Sequence, residues 1–247
     1  MIGISGTPFF NMNTSEQAEV GWKPTDANVA ARLWYRASKV TIATSNQVSV
    51  LHNKVITESV TTNQYQANTA LMPIYIPSDP AYNNKPIISF SGTEFFKSGE
   101  IATALQGPCT IVVVGETGTT TALFSKGDET IDYNLLYIEG VGLLKYFQSL
   151  EAVTGISDYS NTPSIFMLTS DGVDLNIYRN DFSSIEATTA GVFSATNTFA
   201  VGAGNAGVGN CVGKIAEVIY WSGILNTTSL ANLVTYLNNR YNLGASS

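Results

Sequence analysis

The chain has 247 residues, a formal net charge of −7, and 44% hydrophobic, 11% aromatic and only 13% charged residues; about a quarter charged is usual for a soluble domain. No Lys/Arg cluster is present, which argues against phosphate-neutralising contact with nucleic acid and against electrostatic attachment to an anionic membrane. The apolar share is enough to fill a sizeable core, so disorder over most of the chain is excluded, and single sandwich or barrel domains reach this length.

The first residues, MIGISGTPFFNMNTSEQ, have neither a basic leading region nor the apolar stretch of a secretory signal, and no run approaches the ~20 apolar residues of a spanning helix. The expectation is a protein made and folded in a cytoplasm. Residues 1–28 show no sustained period and read as an N-terminal arm. Its apolar anchors Phe9, Phe10 and Trp22 serve either to pack back on the domain or to grip another protein.

From Val29 onward strand signals are dense. Leu33-Trp34-Tyr35, Val40-Thr41-Ile42 and Val48-Ser49-Val50-Leu51 are short β-branched or aromatic runs separated by polar residues. Residues 57–86 are rich in Thr, Asn and Gln and carry Pro73, Pro77, Pro80 and Pro86, which predicts a long surface excursion. Residues 87–90 form another strand, and 110–114, the most β-branched run, is a natural central strand. Further strands are expected at 122–125, 134–138, 164–169 and 175–179, the last two joined by the turn Ser170-Asp171-Gly172. Residues 198–202 and 214–221 close the series and flank a glycine-rich hairpin connection, GAGNAGVGN.

One segment has a different period. Over 226–241 the apolar residues Leu230, Leu233, Val234, Leu237 and Tyr241 fall at helical spacing; Asn226, Thr227 or Ser229 suits the start and Gly244 the end. Recurrent strands with turns between them and one terminal amphipathic helix predict an all-β antiparallel two-sheet sandwich over 29–247, with the helix lying on it. Cys109 and Cys211 are expected as free buried thiols in a reducing compartment. A disulfide stays open as the alternative, because each cysteine opens an expected core strand.

Several stretches occur in an order that carries a resemblance: ARLWYRAS (31–38), KPIISFSGTEFF (85–96), TIVVVGE (110–116), ALFSKGDE (122–129), IYRND (177–181), FAVGAGN (199–205), GKIAEVIYWSGILN (213–226) and LVTYLNNRYNL (233–243). Together they resemble the concanavalin A-like lectin/glucanase superfamily, specifically the laminin-G-like or pentraxin-like jelly-roll modules of bacterial and bacteriophage proteins. The terminal strand with Ile215-Ala216-Glu217, the Tyr220-Trp221 pair and the helix with Tyr236-Leu237 match that family's ending. The resemblance implies the jelly-roll fold over 29–243; that fold hosts lectins, hydrolases and purely structural modules.

The chemistry of the residues narrows this. A glycosidase needs two carboxylates across the scissile bond, and the acidic strand signature of the family's hydrolases is absent. The nearest run, Asp128-Glu129-Thr130-Ile131-Asp132, reads as a solvated turn. His52 is the sole histidine, too few for a histidine-rich metal site. No cofactor is expected, save that related modules hold calcium through loop carboxylates. The candidates here are Asp128 with Glu129 and Asp171 with Asp174, each also an ordinary turn pair. For sugar binding the candidates are Tyr146, Phe147 and Tyr159, in a stretch between 140 and 163 expected to be loop; Tyr133 and Tyr137 read as core.

The reading reached is non-enzymatic. With the resemblance, it is a bacteriophage virion structural protein, a capsid decoration (cement) or appendage protein contacting a capsid lattice or other virion proteins and associating as a homo-oligomer. The alternative is a lectin-like carbohydrate-binding module that recognises host surface polysaccharide.

Overall fold

The fold was analysed in a computed structural model, which describes residues 21–55, 62–98, 106–118, 121–126, 134–139, 143–148, 151–158, 161–191, 198–202 and 210–247. In chain order the strands are β1 (Ala31–Ile42), β2 (Val48–Asn53), β3 (Gln64–Tyr65), β4 (Ile74–Asp79), β5 (Lys85–Ser91), β6 (Phe96–Ser98), β7 (Cys109–Thr117) and β8 (Thr121–Lys126). They continue as β9 (Asn134–Glu139), β10 (Leu143–Gln148), β11 (Glu151–Asp158), β12 (Ser164–Ser170), β13 (Asp174–Arg179), β14 (Ala187–Ala190), β15 (Phe199–Val201) and β16 (Val212–Trp221), before helix α1 (Thr227–Tyr241).

The strands form an antiparallel two-sheet jelly-roll sandwich. One sheet runs β11-β10-β9-β8-β15-β6-β3-β2; the other runs β1-β16-β7-β12-β13-β14, with β5 and β4 added beside β16. The ladder passes between them through β1, whose first half pairs with β16 (Trp34 opposite Ile219) and whose second half pairs with β2 (Thr41 opposite Val50), across a register shift between Tyr35 and Val40. Two runs read as separate strands in the sequence are thus one long bulged strand.

Side-chain alternation explains why the second sheet is the middle layer. Ile111 and Val113 on β7, Phe166 and Leu168 on β12, and Val218 and Tyr220 on β16 face the first sheet, where they meet Phe124, Phe199 and Leu51. Their neighbours Val112, Val114, Ile165, Met167, Ile219 and Trp221 face the other way and meet Leu233, Leu237 and Tyr241 of α1. Strands buried on both faces read as continuous apolar runs, and Thr110–Val114 of β7 is buried at every position.

The helix is capped as its sequence demands at one end only. Asn226 accepts from the Ser229 N–H at 2.9 Å, satisfying a donor of the first turn. At the other end Asn242 takes the left-handed conformation (φ 55°), so it and not Gly244 is the cap; asparagine tolerates that region because its short amide bonds locally. Asn28 and Ser229 clasp the helix start to the chain entering β1: Ser229 Oγ accepts from the Asn28 N–H and Asn28 Oδ1 accepts from the Asn226 N–H, both at 2.9 Å.

Two further expectations are corrected, and the alternative left open for the cysteines is decided. The proline-rich stretch is not all surface excursion: it supplies β3, β4 and the start of β5, and buries Met72, Tyr75 and Tyr82. Pro77 is tolerated because, among the described residues, β5 is the one strand that β4 pairs with, and the register shifts between Ile76 and Asp79. The glycine-rich segment is not a hairpin: β15 pairs with β6 and β8 in one sheet, and β16 lies in the other. The cysteines are free and buried. Cys109 opens β7 and Cys211 directly precedes β16, but the two strands are antiparallel, with Thr110 opposite Trp221 and Thr117 opposite Gly213. The two openings therefore lie at opposite ends of the ladder, roughly 25 Å apart at about 3.4 Å per residue, beyond disulfide reach. Burial pushes the Cys211 thiol up to about 12. No helix among the described residues is long and apolar enough to cross a membrane.

Leu237 is fully buried between α1 and the middle sheet. Leu237→Ala is expected to cost about 2–5 kcal/mol, read as a lowered urea midpoint with unchanged slope. The control Val173→Ala, at a side chain 68% exposed in the β12–β13 turn, is expected to stay within about 0.5 kcal/mol.

Candidate functional site

The most chemically loaded part of the molecule is the seam between α1 and the middle sheet. The shift in β16 between Ile215 and Glu217 turns both Ala216 and Glu217 toward the helix. Glu217 then lies opposite Arg36 of β1, and the side chains are 0% and 1% exposed. A carboxylate so far from water needs every lone pair engaged. Glu217 Oε1 accepts from Trp34 Nε1 at 2.5 Å and from Tyr236 Oη at 2.6 Å, and Oε2 accepts from Tyr241 Oη at 2.6 Å. Arg36 and Arg240 bring their Nε atoms to 3.7 Å from Oε1 and Oε2. Arg36 also donates to Tyr236 Oη at 2.7 Å and lies 4.9 Å above the Trp34 ring. Burial first, and the Glu217 charge second, push the Tyr236 and Tyr241 phenols well above their ordinary value; both stay protonated and donate.

Above this seam opens a groove of about 400 Å³, lined by Gly21, Trp22, Lys85, Asn232, Thr235, Tyr236, Asn239 and Arg240. That volume is within the roughly 300–1,000 Å³ of small-molecule sites. Five of the lining residues, at 232, 235, 236, 239 and 240, follow the i, i+3, i+4, i+7, i+8 spacing of one helical stripe, beside the apolar stripe that α1 buries. Trp22 comes from the chain before β1, which packs on the same face: the nearby Trp221 Nε1 donates to the Pro24 carbonyl at 2.8 Å. The Trp22 and Tyr236 rings meet edge to face, centroids 6.1 Å apart. Lys85 opens β5 just after the β4–β5 turn, where Asn83 and Asn84 are both left-handed and the Asn83 amide donates to the Arg240 carbonyl at 3.1 Å. The Glu217 cluster fixes Tyr236 and Arg240, and hence one wall of the groove.

Comparison with known proteins adds the fold. No protein-family model matches the chain, and no curated protein matches it in sequence. Among solved structures, domain 4 of an extracellular arabinanase from Geobacillus stearothermophilus, solved in complex with arabinotriose, aligns over 85% of this chain and 98% of its own, with TM-score 0.54 and 15% identity. The binding domain of botulinum neurotoxin serotype G aligns over 83% and 51% (TM-score 0.54, 11% identity). The sialidase of Trypanosoma rangeli, in complex with sialic acid, aligns over 89% and 34% (TM-score 0.55, 12% identity). The chain thus matches about half of the toxin domain and a third of the sialidase. At these identities the likeness is one of fold alone: a jelly-roll-like all-β sandwich.

Of the candidate site residues named from the sequence, Trp22 is the one in the lining of the groove. Phe9, Phe10, Asp128, Glu129, Tyr133 and Tyr159 lie outside the described residues. Tyr146 and Phe147 stand on β10, opposite Val153 and Ala152 of β11, so their stretch is a strand meander and not a loop. Asp171 works as a turn acceptor: its Oδ1 takes the N–H groups of Asp174 and Val173, each at 2.8 Å, which lowers its pKa. Asp174 pairs with Ala190 in the β13–β14 ladder. Among the described residues no three His, Cys, Asp or Glu side chains gather as a metal site. His52 is part-buried and its Nε2 bonds Thr41 Oγ1 at 2.8 Å. The sequence reading missed Glu217, Arg36, Lys85 and the polar stripe of α1. A signal existed: a lone charge inside LWYRAS and another inside IAEVIYW, each amid residues that must be buried.

Replacing Glu217 by Leu leaves the Arg36 guanidinium buried without its counter-charge. The expected cost is about 3–5 kcal/mol, measured by thermal or urea unfolding. Wild-type stability in that variant would contradict a structural role for the carboxylate.

Proposed function

We propose that this chain is a lectin-like carbohydrate-binding module that acts by binding and not by catalysis, with host surface polysaccharide as its target. The observation that carries the reading is the groove: two aromatic rings stand beside two amides, a hydroxyl and two cations on a sandwich scaffold. A pyranose ring has an apolar face that packs on aromatic rings and a rim of hydroxyls that exchanges hydrogen bonds with amide side chains; sites that combine apolar walls with a few convergent polar groups are what small ligands require. The fold likeness to a domain solved with arabinotriose is consistent with this. Among the described residues, the lining supplies none of the paired carboxylates that glycosidic cleavage uses.

A second reading, a capsid decoration or appendage protein, is supported by the low charge content and by the resemblance to phage modules; the solved structures named above are not virion proteins. It requires stoichiometric binding to empty capsids that is lost when residues 1–28 are removed.

The test of the first reading is a saccharide array followed by calorimetry with Trp22→Ala and Asn239→Ala. An aromatic anchor is worth roughly 2 kcal/mol or more, about 30-fold in affinity. Trp22→Ala is therefore expected to weaken the best ligand at least about 30-fold, and Asn239→Ala to weaken it less. If wild-type protein binds no saccharide, or if both variants bind as the wild type does, the reading falls.

A further inference from the structure

We propose that Ser229, in the first turn of α1, is the positioning residue for Trp22 and through it sets the affinity of the groove. Its effect on the place of the Trp22 ring is independent of any ligand; its effect on affinity rests on the groove being a glycan site. Trp22 is carried by residues 21–30, a strap that runs along α1 from its middle to its start. At one end the Trp22 ring meets Tyr236 edge to face. At the other, Asn28 is clasped by the segment 224–229. The Asn28 N–H donates to Ser229 Oγ at 2.9 Å, Asn28 Oδ1 accepts from the Asn226 N–H at 2.9 Å, and the Asn28 amide donates to the Ile224 carbonyl at 3.4 Å.

The strap is stiff enough that its two ends move together. From Ser229 to Tyr236 the helix rises about 10 Å, whereas an extended chain from Trp22 to Asn28 would span about 20 Å. One 3-10 turn, Pro24–Asp26, takes up the difference, and Pro24 favours it by fixing its own φ. The turn is closed by the Asp26 N–H on the Lys23 carbonyl at 2.8 Å and by the Lys23 N–H on Asp26 Oδ2 at 2.9 Å. Pro24 is buried and its carbonyl accepts from Trp221 Nε1 at 2.8 Å. That bond lies between Trp22 and Asn28 along the strap, so alone it is a pivot. Ala27 and Val29 pack on the helix-side core, but apolar contact is non-directional. The clasp on Asn28 fixes the direction of the strap, and with it the place of Trp22.

Ser229 is the side chain of the helix on which the clasp turns. It is 5% exposed, and its own N–H is taken by the Asn226 side chain. Alanine favours a helix more than serine does, and burying a hydroxyl is costly unless it is bonded. The bond this hydroxyl makes is to the strap. Ser229→Ala therefore leaves the helix its cap and its apolar stripe, and takes from the Asn28 N–H its acceptor.

Fluorine NMR of the full chain labelled with fluorotryptophan reads the placement directly. The tryptophans are Trp22, Trp34 and Trp221, and Trp22→Phe identifies the Trp22 resonance. In Ser229→Ala, and in Asn28→Ala, which breaks the clasp from the strap side, the Trp22 resonance is expected to move toward its position in urea while that of Trp34 stays. Calorimetry with the best saccharide is expected to show about tenfold weaker binding in Ser229→Ala, a smaller loss than in Trp22→Ala. Added to Trp22→Ala, the same change is expected to weaken binding by less than about twofold, because the two act through one ring. Ser229→Thr, which keeps the hydroxyl, is expected to restore both readouts. A Trp22 resonance unmoved in both variants overturns the proposal. Joint movement of Trp22 and Trp34 also overturns it, since that is a general loosening of the helix, and so does full additivity with Trp22→Ala. If the wild type binds no saccharide, the glycan reading falls, and the resonances alone decide whether Ser229 places Trp22.

Discussion

A carboxylate with no access to water governs the helix side of this molecule. Glu217 sits on a strand whose other residues are chosen for burial, and its charge survives there only because Trp34, Tyr236 and Tyr241 donate to it and Arg36 and Arg240 oppose it. Two of those donors and one of those cations belong to α1. The helix is therefore held by more than its apolar stripe: it must stand at the one rotation and depth that satisfies the acid. Apolar packing is non-directional and tolerates sliding, whereas a fully engaged polar network does not. That difference explains how a single amphipathic helix lying on a sheet presents Tyr236 and Arg240 in fixed positions at the surface.

The architecture makes such a cluster necessary. The sheet built on β16, β7 and β12 is covered on both faces, by the other sheet and by α1. Covering the second face closes a second core, and where the helix, the chain before β1 and the β4–β5 turn meet at its rim they leave a groove. Its floor is the polar cluster, and two of its lining side chains, Tyr236 and Arg240, are bonded into that cluster. Packing, burial of charge and surface chemistry are here consecutive consequences of placing one helix, and the proposed recognition of a sugar uses the last of them.

Much of the fold was legible in the chain because the signals are local. The β-branched run at 110–114 became the central strand β7, the Ser170-Asp171-Gly172 turn became the β12–β13 hairpin with Gly172 at φ 98°, and the apolar stripe of α1 was readable from its period. What was missed depends on pairing across the chain. Whether the Pro77 segment is a strand depends on its lying at an edge with β5 as its partner. Whether two cysteines at the starts of strands are neighbours depends on the direction of those strands. The groove was illegible for the same reason: Trp22, Lys85 and Tyr236 are far apart in sequence, and only the fold brings them together. The polar stripe at 232, 235, 236, 239 and 240 was the one local trace of it, and the solvent-facing side of any amphipathic helix looks similar.

The most direct test of the account is to map amide chemical-shift changes across the isotopically labelled chain while an oligosaccharide that it binds is titrated in. The account predicts that the changes centre on Trp22, Lys85, Tyr236 and Asn239 and fade across the outer face of the β2–β3–β6 sheet. Changes centred on that opposite sheet, with the α1 groove silent, would contradict it.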